Sequence, residues 1–233
     1  MQPELQPNPA AYSTGAGTLA PTQQSVLRNT YLLLALTMVP TVAGAYVGIH
    51  TGAIIMQHPI MSFFLMLGAT IGLQFAIAAN RNSALGIVFL LLMTALLGWF
   101  LGPLLAFALT LKNGPQLIGI AAGGTGAIFF IMAGIATTTK RDFGFMGKFL
   151  FVGMIVALLA MVANMFFQIP AVSLAISAIV VVIFSLFLLH DVSRIVNGGE
   201  TNYIMATTGV YMSLFNIFAN LLQILMALAG ERD

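Results

Sequence analysis

The feature that most limits what this chain can fold into is the spacing of its charges. No Asp, Glu, Lys or Arg lies between Arg28 and Arg81, between Lys148 and Asp191, or between Glu200 and Glu231. A bilayer core about 30 Å thick takes roughly 20 apolar residues per crossing helix. The first two intervals therefore each have room for two helices, and the third for one. Composition closes the alternative: 60% of the residues are hydrophobic and 6% charged, against about 25% charged in soluble domains. So little charge cannot cover a water-soluble surface of this size. The chain reads as an all-α, polytopic membrane protein.

Turn chemistry divides the apolar runs into seven transmembrane helices. They are expected over 26–49, 60–79, 84–109, 116–138, 145–167, 171–195 and 203–229. The polar group His50-Thr51-Gly52 should end the first, and Pro103 should kink the third. Residues 1–25 are rich in Pro, Gln and Ala, have no apolar period and hold one acid, Glu4. That composition predicts a disordered cytoplasmic tail ahead of a seven-helix domain over 26–230.

Lys and Arg set the orientation. With the N-terminus in the cytoplasm, Arg28, Arg81, Lys140, Arg141, Lys148 and Arg194 lie inside, and only Lys112 and Arg232 outside. The bias predicts a cytoplasmic N-terminus and, with an odd number of spans, a periplasmic C-terminus. These basic residues are scattered along the chain, whereas a nucleic-acid footprint would cluster them. With no cysteine, disulfides, thiol chemistry and thiolate metal sites are excluded.

Asp191 is the acid that lies directly against an apolar run, Leu186-Phe187-Leu188-Leu189-His190. An ionisable group at membrane depth costs roughly 2.5–3.5 kcal/mol on insertion scales, which marks it as a candidate functional site. Its simplest partner is Arg194, one helical turn on, in an exposed pair worth about 0.2–0.5 kcal/mol. Arg81 is a further candidate partner. On the seventh helix Gly209, Ser213, Asn216, Asn220 and Gln223 form one stripe by their spacing. Amides are expensive against lipid, so this face should point into the bundle. It then serves either interhelical hydrogen bonding or a polar path that includes Asp191, with Gln74, Asn164 and Gln168 as companions. Glycines recur at four-residue spacing in Gly44/Gly48, Gly68/Gly72, Gly98/Gly102 and Gly119/Gly123, a spacing that lets helix backbones approach closely. No phosphate loop, metalloprotease or serine-hydrolase motif is present. His50 and His58 suit neither a zinc helix nor a triad. No enzyme, cofactor or metal site is expected.

Three segments carry a resemblance to a known family: Leu97-Gly98-Trp99-Phe100-Leu101-Gly102-Pro103, Leu189-His190-Asp191-Val192 and Gly198-Gly199-Glu200-Thr201-Asn202-Tyr203-Ile204. The chain resembles the transmembrane Bax inhibitor motif family from Arg28 onward. Leu27-Arg28-Asn29-Thr30-Tyr31 and Phe215-Asn216-Ile217-Phe218 look most like bacterial inner-membrane members that modulate an FtsH-type protease. The resemblance implies seven helices with the last at the centre. It also implies one of two activities: binding and inhibition of FtsH in membrane-protein quality control, or a pH-sensitive leak of calcium or other cations. In the second, paired aspartates on the last two helices exchange a proton, since two like charges resist ionising together. Asp191 matches the first aspartate, and Ser213 stands where the second should fall. That departure favours the protease regulator.

Overall fold

The computed structural model describes residues 20–139 and 141–230; most of the expected tail lies outside them. Seven helices follow in order: α1 (Pro21–Gln57), α2 (Pro59–Ala79), α3 (Ala84–Thr110), α4 (Gly114–Thr139), α5 (Met146–Phe167), α6 (Pro170–Val196) and α7 (Tyr203–Gly230). Each is long and apolar enough to cross a membrane, and no strand occurs among the described residues.

The largest difference from expectation is α1. It starts at Pro21, inside the segment expected to be tail, and continues to Gln57. Pro fits the first turn because its missing N–H would have had no helical partner. The Gln23 side chain then accepts a hydrogen bond from the Ala20 N–H at 3.0 Å. At 37 residues the helix is about 55 Å long, well beyond the bilayer core. His50-Thr51-Gly52 does not end it, because its polar groups are satisfied in place. Thr51 donates to the Val47 carbonyl at 2.8 Å and accepts from the Trp99 indole at 2.7 Å. The His50 ring lies 2.8 Å from the Tyr46 carbonyl. Gly52 packs against Pro103.

Two of the four glycine pairs interlock α1 with α3. A Cβ on Gly44 would run into the Ala95 carbonyl, and one on Gly98 into the Thr41 carbonyl. Gly48 and Gly102 meet backbone to backbone. Lipid tails are as apolar as leucine, so close van der Waals packing of this kind drives helix association in membranes. The interlock also answers for Pro103. Proline leaves the carbonyl four residues earlier, at Trp99, without its helical donor. That carbonyl lies against Gly48, where a Cβ would collide with it. α3 runs unbroken to Thr110.

The centre of the bundle is α7. It packs against α1, α2, α3, α4 and α6, and among its described side chains only Gln223, Ala227 and Leu228 are exposed. Around it Ile77, Leu90, Met93, Leu188, Val192, Val210, Tyr211 and Ile217 form the main core. The Tyr211 hydroxyl lies 2.8 Å from the Thr41 hydroxyl, which ties α7 to the interlocked pair. α5 is peripheral and rests on α6. Its Phe149, and Phe75 on α2 and Phe130 on α4, are about three-quarters exposed and form the apolar outer surface.

Candidate functional site

The polar residues gather at one end of the bundle, where the start of α1 meets three turns. The α6–α7 turn is the organiser. Asn202 caps α7: its side-chain carbonyl accepts the N–H groups of Ile204 and Met205 at 3.0 and 3.1 Å. A helix start leaves such donors free, which is why Asn is favoured there. Its amide reaches the α2–α3 turn, donating to the Arg81 carbonyl at 2.8 Å and the Asn82 side chain at 3.0 Å. On the other side Ser193, fully buried, donates to the Arg141 carbonyl and accepts from the Phe143 N–H, both at 3.1 Å. Asn197 also donates to Arg141, at 3.2 Å. Gly198 adopts φ 77°, a left-handed conformation that favours glycine, beside the Gln23 side chain of α1. Four segments far apart in sequence are thereby tied into one polar knot.

Asp191 sits just inside this knot. Its side chain is 18% exposed and its Oδ1 lies 3.1 Å from Nδ1 of His190, itself 11% exposed. The other carboxylate oxygen faces α7 at Gly209, where a Cβ would lie 2.7 Å away. The second ring nitrogen of His190 faces Gly147 at the start of α5, 2.8 Å from where a Cβ would sit. Glycine at 147 and 209 makes room for the imidazole and the carboxylate between α5, α6 and α7.

The expected pair with Arg194 does not form. Arg194 turns to the α6–α7 turn, donating to the Gly199 carbonyl at 3.1 Å and approaching Glu200 at 3.5 Å. Spacing places residues 191 and 194 on neighbouring parts of the helix surface. The turn's carbonyl and acid give Arg194 a better-placed set of acceptors, while Asp191 is turned toward α7. Nor does Arg81 reach Asp191: its side chain is exposed and only its backbone carbonyl joins the knot. His190 was the partner that spacing concealed, since adjacent helical residues ordinarily diverge. The available signal was a histidine in the same apolar run as the acid.

Most of the α7 stripe faces inward: Ser213 and Asn220 are buried and Gly209 and Asn216 partly so, whereas Gln223 at its far end is exposed. Its amides do not form an interhelical ladder. Asn216 donates to the Met212 carbonyl at 2.8 Å and Asn220 to the Asn216 carbonyl at 2.9 Å, both within α7. Gln223 does cross to α6, at Ser173 and Ser177. Asn164 and Gln168 instead finish α5. Asn164 accepts the Ile169 N–H on its side chain and the Gln168 N–H on its backbone, and Gln168 takes a left-handed φ of 52°. Among the described residues no three His, Cys, Asp or Glu side chains come together to hold a metal ion.

Fold and site together define a seven-span membrane protein with an enclosed last helix and a polar knot at one end. A family model described as Inhibitor of apoptosis-promoting Bax1 (Bax1-I) matches residues 23–230, and the chain belongs to that family. It is 42% identical over 200 residues to the Modulator of FtsH protease YccA of Escherichia coli strain K12, covering 86% of this chain and 89% of the relative. An uncharacterised membrane protein of Vibrio cholerae is 40% identical over 200 residues, covering 86% and 88%. An uncharacterised protein of Pseudomonas aeruginosa is 41% identical over 208 residues, covering 89% and 91%. A relative from a second Escherichia coli strain, O6:H1, 42% identical over 200 residues, is named Inner membrane protein YccA. The chain is a multi-pass inner-membrane protein, and these names describe a modulator rather than an enzyme.

Proposed function

We propose that this protein binds and restrains an FtsH-type ATP-dependent protease in membrane-protein quality control. The observation that carries the reading is its 42% identity, over most of both chains, to a relative named as a modulator of that protease. The fold supplies a physical basis. A protease that engages the chain from its N-terminal side meets α1 first. α1 is the longest helix, it is locked to α3 by reciprocal glycines, and its start is held beside the polar knot. Such a bundle is costly to extract and suits a slow substrate or competitor. The basic end faces the cytoplasm in this reading, as the Lys and Arg bias requires.

The test is co-purification of the tagged full chain with FtsH from native membranes, beside its half-life with and without residues 2–19. The deletion stops before Pro21, so α1 stays whole. FtsH should co-purify, and the truncated chain should persist longer in cells with active protease. A folded chain that brings down no FtsH overturns the proposal.

A second reading, a pH-sensitive leak of calcium or other cations, draws on Asp191 facing α7. It is weaker, because Ser213 occupies the position where the resemblance asks for a second acid. Calcium flux in proteoliposomes separates the two. Wild type should leak little at mildly acidic and mildly alkaline pH, and Ser213→Asp should gain pH dependence. A large, pH-dependent wild-type leak abolished by Asp191→Asn would reverse the ranking.

A further inference from the structure

At the basic end, α1 and the start of α7 leave an open groove of about 280 Å³ on the outer surface. Its floor is apolar: Leu32, Leu33 and Leu36 of α1, with Leu32 about two-thirds exposed and Leu36 about half. Its rim is polar, made by Asn29 and Tyr203. Two exposed arginines belong to segments that adjoin this rim. Arg28 is the chain neighbour of Asn29, and Arg28, Leu32 and Leu36 follow one another at four-residue intervals along α1. Arg81 is tied through its carbonyl to Asn202, the chain neighbour of Tyr203. Among the described residues neither arginine takes part in an ion pair; the pairs found are His190–Asp191 and Arg194–Glu200.

The groove thus runs from cations through hydrogen-bonding groups to leucines within eight residues of α1, about 12 Å along its axis. An anionic phospholipid has the same sequence of chemistry: phosphate, glycerol and ester oxygens, then acyl chain. We propose that this groove is a seat for one anionic phospholipid of the leaflet at the basic end. Arg28 and Arg81 face its phosphates, Asn29 and the Tyr203 hydroxyl its glycerol region, and the three leucines the upper part of an acyl chain. Charge complementarity selects this occupant. Exposed Arg141 and Lys148 lie at the same end, so the surrounding field also favours an anion. A lipid held there bridges the first and last helices across the margin of the bundle.

The test is native mass spectrometry of the full-length protein titrated with phosphatidylglycerol or phosphatidylcholine of matched acyl chains. One phosphatidylglycerol per chain should be retained preferentially. The double variant Arg28→Gln/Arg81→Gln should lose roughly thirtyfold in its retention. Leu36→Trp fills the groove without touching charge and should weaken retention as well, which keeps the proposal testable if the double variant fails to insert. Arg141→Gln/Lys148→Gln removes the same charge from the same end, acts only through the surrounding field, and should cost several-fold less retention than the Arg28/Arg81 pair. Equal retention of the two lipids, no loss with Leu36→Trp, or equal loss with the control pair would each overturn the proposal.

Discussion

The same sequence pattern has opposite fates in two parts of this molecule. Gly44/Gly48 and Gly98/Gly102 bring α1 and α3 into backbone contact, whereas Gly68/Gly72 on α2 and Gly119/Gly123 on α4 face open space, with nothing within 4 Å of an added Cβ. Spacing alone shows that a helix can be approached closely. It does not show that a partner helix arrives. The productive pairs lie on two helices that also share other contacts, including Trp99–Thr51 and Gly52–Pro103. They are reciprocal, each glycine facing the partner's carbonyl or glycine. The other two pairs lie on faces that the described residues leave uncovered.

Substitution at the productive pairs should break the comparison most sharply. Gly102→Ala places a methyl group into the Gly48 backbone, which has no rotamer with which to yield. Overpacking ordinarily costs about 1–3 kcal/mol, and a backbone clash across the central interlock should reach or exceed the top of that range. Reversible unfolding in detergent would measure it. A loss under about 1 kcal/mol would mean that α1 and α3 slide apart readily.

Gly209→Ala is the intermediate case, because the atom it meets is the Asp191 carboxylate, 2.7 Å from the new Cβ. A carboxylate can rotate, at about 0.5–1.5 kcal/mol for an off-rotamer side chain. The same rotation should break the 3.1 Å contact with His190. A shift of the His190 ring resonances with modest destabilisation is the expected result; unchanged resonances would show that the carboxylate does not rest on Gly209. The smallest effect belongs to the open pairs. Gly72→Ala and Gly123→Ala meet no neighbour, and replacing a mid-helix glycine should stabilise each helix by roughly 0.5–1 kcal/mol. Destabilisation by either would reveal a partner helix on that face, such as a second copy of the chain.

Asp191 repeats the lesson on a smaller scale. Its place at the end of an apolar run was legible in the sequence, and the inward direction of Ser213, Asn216 and Asn220 from their spacing. Its partner was not. Arg194 had the right spacing but found the Gly199 carbonyl and Glu200, whose positions depend on how the α6–α7 turn folds back. Asn202 was visible as turn chemistry, but its bond to the Arg81 carbonyl spans 121 residues of sequence, and no local pattern encodes it.

What the sequence determined by itself follows from solvation. Backbone and charge are costly in hydrocarbon, so charge-free runs fixed the membrane class, the number of spans and most of their limits. It misplaced the ends of α1, because whether Thr51 and His50 stop a helix depends on what satisfies them, and one of those groups is the indole of Trp99 on α3. The enclosed last helix was anticipated from the family resemblance and its polar stripe, whereas which glycines interlock and which group faces Asp191 were decided only by tertiary structure. These outcomes rest on van der Waals contact and hydrogen bonds that act over a few ångströms, between residues that only the folded bundle brings together.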